Sequence, residues 1–62
     1  MKKKTIADLG RTMAEQLHNC ATIEQRGAII EAKDALLDCM TYEDGRVFQR
    51  AYREALDKLE PL

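Results

Sequence analysis

Apolar residues recur along this chain at three- and four-residue spacings, the period of an amphipathic helix. In residues 6–19 the stripe is Ile6, Leu9, Met13 and Leu17, extended by Cys20, with Asp8, Arg11, Glu15, His18 and Asn19 on the other side. In residues 45–60 it is Phe48, Ala51, Tyr52, Ala55, Leu56 and Leu59, with Arg46, Arg50, Arg53 and Asp57 opposite. The middle stretch, 22–40, differs. Its apolar positions Ile23, Ile29, Ile30, Ala32, Leu36, Leu37 and Met40 cover about half the helix circumference, wider than the ~100° stripe of an ordinary surface helix. A helix apolar over half its girth wants two neighbours. The pattern predicts an all-α fold of two or three short antiparallel amphipathic helices, about 6–19, 22–40 and 45–60, with the middle helix central.

Local signals set the boundaries. Thr5-Ile6-Ala7-Asp8, Thr22-Ile23-Glu24-Gln25 and Thr41-Tyr42-Glu43-Asp44 each place threonine before an apolar residue, with an acid or amide three positions on. A threonine hydroxyl can accept from the backbone N–H of the third helical residue, whose side chain can reach back toward the cap. Glutamine suits that return bond better than aspartate, so Thr22 is the best match. Asn19 can end the first helix. The third start is open: Thr41 can cap it, or Asp44-Gly45 can form the turn with the second helix running to about 43. A continuous helix over 22–60 is a third alternative. Gly10 costs about 1 kcal/mol relative to alanine in a helix interior, and close approach of another backbone would compensate. Lys33 falls inside the apolar arc of the middle helix with Arg26 nearby, where their stems can cover apolar surface or the two can mark where the arc meets a partner's carboxylates.

Composition narrows the function classes. The chain has 62 residues, enough for one domain: a basic flexible tail at 1–4 and a single helical domain over 5–62. Chains this short are marginal alone, and oligomerisation is a common remedy, so a homodimer is expected. Ile23, Ile29, Ile30, Leu36, Leu37, Met40, Phe48 and Tyr52 are the candidates for core or dimer interface. Net charge is −1, which gives no overall drive toward nucleic acid or membrane. No apolar run reaches the ~20 residues of a membrane span, and MKKK is followed by an amphipathic stretch instead of a signal-peptide core. A cytoplasmic protein with reduced thiols is expected. Antiparallel folding of the first two helices would hold Cys20 and Cys39 roughly 25 Å apart, too far for a disulfide, and both read as small buried apolar residues.

Candidate chemistry is sparse. His18 lacks the nucleophile and orienting carboxylate of a general base, and it diverges from Cys20 on a helix. No catalytic, metal or cofactor set is assembled, and a non-enzymatic protein is expected. Two charged faces stand out. Glu24, Glu31, Asp34 and Asp38 form an acidic face on the middle helix, suited to a basic protein partner or else a solvated face balanced by arginines of the third helix or of a second subunit. Arg46, Arg50 and Arg53 form a basic face on the third. With Lys2–Lys4 it could touch phosphates, although Glu43, Asp44, Glu54 and Asp57 are interleaved. The expected function is a small interaction or regulatory protein, of the size and style of phage and plasmid accessory proteins. A weak nucleic-acid binder is the alternative.

Two segments bear a resemblance. Leu17, Cys20, Thr22, Ile23, Glu24, Ile30 and Glu31, with Phe48, Ala51, Leu56 and Leu59, resemble the Hha/YmoA family of small helical nucleoid modulators. The resemblance implies a helical protein that binds a nucleoid-organising partner instead of DNA. It covers under half the chain. The polar Asp-His-Arg run of the family is replaced by Arg53, Glu54 and Ala55, and no functional residue carries over.

Overall fold

The computed structural model describes residues 3–60. It contains three helices, α1 (Lys3–His18), α2 (Ile23–Asp38) and α3 (Tyr42–Leu59). Two of the three threonine signals cap helices. Thr22 is extended, and its hydroxyl accepts from the Gln25 backbone N–H at 3.1 Å. The return bond is displaced by one residue: Gln25 Oε1 accepts from the N–H of Ala21, at 2.9 Å. Thr41 caps α3 in the same way, accepting from the Asp44 N–H at 3.2 Å. The second and third helices are therefore separate, and α3 starts at 42 instead of 45. Thr5 is not a cap, because α1 already includes Lys3 and Lys4. Half of the expected basic tail is thus helical; Met1 and Lys2 lie outside the described residues.

The core lies between α1 and α3. Its buried side chains are Ile6, Met13, Ala14 and Leu17 from α1, and Phe48 and Ala51 from α3. Phe48 is 0% exposed, and its ring lies nearly parallel to that of Tyr52 with centroids 6.3 Å apart. Small residues let these helices close on each other. A β-carbon added at Gly10 would lie 2.6 Å from the Phe48 carbonyl oxygen and 3.1 Å from the Tyr52 backbone nitrogen. The penalty of a mid-helix glycine is exchanged for backbone-to-backbone approach. Contacts climb both helices together. Lys3 shares a hollow with Glu43, Arg46 and Arg50, Gly10 meets Phe48 and Tyr52, and His18 meets Glu60. Thus α1 and α3 run the same way, although they are not neighbours in sequence.

The expectation of a central middle helix is overturned. No residue of α2 is buried. Ile29, Leu36 and Leu37, together with Met40 in the following link, are only partly buried as they pack against the core. The breadth of the arc was misleading for a physical reason. Leu36, Leu37 and Ile29 share their side of the helix with Arg26 and Lys33, whose heads must stay solvated or paired. α1 and α3 instead offer clean narrow stripes with glycine and alanine at the crossing. Closeness of approach, more than stripe width, decides what is buried. Ile23 is 88% exposed and Ile30 40%. Cys39 is also exposed, contrary to the expectation of a buried apolar residue, while Cys20 is half-buried and donates its thiol hydrogen to the Gln16 carbonyl oxygen.

Candidate functional site: the outer faces of α2 and α3

A polar clasp holds α2 to the core pair. Arg26 projects from the first turns of α2 toward the far end of the other two helices. Its Nη1 donates to the Leu17 carbonyl oxygen at 3.1 Å and to Glu60 Oε2 at 3.2 Å, and its Nη2 donates to Glu60 Oε1 at 3.5 Å. His18 Nδ1 lies 3.1 Å from the same Oε2. One carboxylate therefore joins residues from the ends of all three helices. The Arg26 hydrogen bonds, followed by that of His18, hold the Glu60 carboxyl below its ordinary value of 4.5. The same hydrogen bond and charge raise Arg26 further. The Glu60 side chain is 33% exposed, so water screens the pair and its worth is modest. Lys33 makes the second charged contact of α2. Its Nζ sits 5.1 Å from the Tyr52 ring centroid and 3.4 Å from Asp34 Oδ1. The two bases in the apolar arc thus meet a carboxylate and an aromatic face of their own chain.

The backbone of α2 lies closer to α1 than to α3, and long side chains of α2 reach across to α3. Arg26 meets Glu60, Lys33 meets Tyr52, and Leu37 Cδ2 lies 3.6 Å from the β-position of Gly45. Numbers rise along α2 as they fall along α3. Arg53 therefore lies between the levels of Glu31 and Asp34, and Arg46 between those of Asp34 and Asp38.

The acidic residues Glu24, Glu31, Asp34 and Asp38 are all exposed on α2. Arg46, Arg50 and Arg53 are exposed on α3. The two sets stand on different helices and are not paired with each other within the chain. Arg50 instead pairs with Glu54 at 3.3 Å, and the Arg46 guanidinium lies 5.9 Å from the Tyr42 ring centroid. Of the expected core or interface residues, Phe48 is buried. Ile29, Leu36, Leu37, Met40 and Tyr52 are partly buried against the core, while Ile23 and Ile30 face outward.

Two open hollows adjoin these faces. One, of about 330 Å³, is lined by Lys3, Glu43, Arg46, Val47 and Arg50. The other, about 220 Å³, lies where the α2–α3 link meets α3 and is lined by residues including Leu37, Met40, Tyr42, Gly45 and Gln49. Tyr42 at its edge is 81% exposed. Sequence reasoning grouped Lys3, within Lys2–Lys4, with the arginines of the third helix, but it did not single out Glu60 or Tyr42 as parts of a site. The only local sign was at Tyr42, which fits neither neighbouring apolar stripe.

Among the described residues no group of three or more histidines, cysteines, aspartates or glutamates is gathered closely enough to hold a metal ion. Among them, too, no helix is long and apolar enough to cross a membrane. The chain matches no protein-family model, no curated protein and no solved structure. The Hha/YmoA resemblance therefore rests on the residues quoted for it alone.

Proposed function

We propose that the chain is a small non-enzymatic interaction protein that binds a protein partner through the outer side of α2 and the adjoining edge of α3. The observation that carries this reading is a folded sixteen-residue helix with no buried residue and with Ile23 88% exposed. Isolated helices of this length are marginal in water, and most helical stability in proteins comes from packing an apolar face. An α2 left half-packed gains most from a partner that covers Ile23 and Ile30. The acidic residues beside them favour a partner surface carrying arginine or lysine.

A photo-crosslinking amino acid placed in turn at Ile23, Ile30 and Thr12 tests the reading in cells that express the chain. Thr12 is exposed on α1 and serves as the reference. Protein adducts formed from Ile23 and Ile30 but not from Thr12 support it. Equal labelling from all three positions would sink it.

A second reading, direct binding of nucleic-acid phosphates, draws on the hollow where Lys3, Arg46 and Arg50 converge. Its mark is salt: affinity for DNA or RNA would fall steeply as salt rises. Affinity unchanged by salt, or no binding in low salt, removes it.

A further inference from the structure

We infer that the partner on the α2–α3 face is a second copy of this chain, with α2 of each protomer lying against α3 of the other. The inference rests on the reading of that face as a protein-docking surface. Ile23, Gly27, Ile30, Asp34 and Leu37 follow one another at spacings of four and three, so they form one stripe along α2. The stripe borders α3, because Leu37 at its end lines one hollow with Gly45 and lies 3.6 Å from where a β-carbon there would stand. It is open at the centre: no atom lies within 4 Å of a β-carbon built on Gly27. On α3, Tyr42, Gln49 and Arg53 border it in turn, and the smaller hollow lies between Leu37 and Tyr42.

Charge selects the pairing. Beyond the stripe, away from α3, α2 carries Glu24, Glu31 and Asp38; beyond its own edge, away from α2, α3 carries Arg46 and Arg50. Consider two copies face to face about a two-fold axis parallel to the helices. α2 then lies over α3 of the partner, and the acidic flank of one meets the arginine flank of the other, twice. A closed two-fold allows no sliding along its axis, so levels within one chain carry over to the pair. Arg53 of the other copy then falls between Glu31 and Asp34 in height, and Arg46 between Asp34 and Asp38, each within about one helical turn of both acids. The alternative places α2 against α2 about a perpendicular axis. That sets Glu31 beside its own copy and Glu24 beside Asp38 of the other, and like charges oppose it. The cations of α2 give no relief there, since Arg26 is held by Glu60 and Lys33 by Tyr52 and Asp34.

The test is the mass in solution, by light scattering over a concentration series, for the full chain and for two charge-reversed double variants. D34R/D38R and R46D/R53D change only exposed positions, and circular dichroism checks that each stays helical. The full chain should have a mass of two chains. Each variant alone should dimerise roughly a hundredfold more weakly. An equimolar mixture should recover a one-to-one pair, because both α2–α3 contacts are then again acid against base. A full chain that remains a monomer at all concentrations overturns the proposal, as does a mixture that stays monomeric. Undiminished dimerisation of R46D/R53D would overturn it in favour of α2 against α2. Crosslinks from Ile23 to a different protein, with a monomeric mass, would leave the docking surface standing and remove the second copy as its occupant.

Discussion

The α2 helix is richer in apolar residues than α1 or α3, yet it is held to the fold less closely than they are held to each other. Between α1 and α3, glycine and alanine bring two backbones together and Phe48 and Ile6 are sealed inside. Along α2 the larger residues Ile29, Leu36 and Leu37 reach only partial cover, and the firm attachments are polar, Arg26 to Glu60 and Lys33 to Tyr52. Shape complementarity at the closest crossing outweighs the count of large apolar residues. Stability should follow the same division, with α1–α3 carrying the global transition and α2 opening first.

Four substitutions break or sharpen that contrast. Phe48→Ala should cost about 3–5 kcal/mol, as large core truncations do. A core in a chain this small rarely supplies more than about 3–5 kcal/mol, so the variant should lose its cooperative melt by circular dichroism at room temperature. Gly10→Ala comes next. Helix propensity alone would raise stability by about 1 kcal/mol, but the new methyl would meet the Phe48 carbonyl oxygen. Overpacking of that kind should win, lowering stability by about 1–3 kcal/mol in a urea titration. Gly27→Ala is the mirror experiment on α2. Its β-carbon meets open space, so the same chemical change should raise stability by roughly 0.5–1 kcal/mol. Equal effects at positions 10 and 27 would mean that the two regions are packed alike.

The smallest effect is that of Glu60→Gln. The Glu60 carboxyl is held below its ordinary value, so its contribution is complete above that value and is lost as pH falls through the lowered one. The urea midpoint of the variant should be slightly lower than that of the full chain at pH 7. The gap should close on acidification below the ordinary carboxylate range. Hydrogen exchange should also speed up in α2 before α1 or α3; uniform acceleration would place the clasp in the global fold instead.

The helices and two caps were legible in the sequence because they depend on neighbours three and four residues away. Thr22 and Thr41 act within their own turns, and the stripes of α1 and α3 name their own buried faces. Gly10 was legible too, since an interior glycine beside a stripe asks for a close neighbour. The depth of α2 was not legible. It turns on whether another pair of helices can approach more closely, and Ala14 and Ala51 carry no local sign of that. The clasp was hidden for a related reason: Arg26 and Glu60 are far apart along the chain, and an isolated terminal glutamate looks solvated. The charged faces of α2 and α3 were legible as faces, but their alignment needed the levels set by Lys33 on Tyr52 and Leu37 beside Gly45.

The unequal thiols have a practical consequence. Cys20 and Cys39 flank α2, one just before its start and one just after its end. Cys39 is open to reagent, whereas Cys20 is half-buried and bonded to the Gln16 carbonyl oxygen. A slow alkylating agent should therefore modify Cys39 first and reach Cys20 at the rate at which the α1–α2 corner loosens. The helix held least firmly thus carries its own pair of native reporters: one thiol counts molecules, and the other times how often the corner comes apart.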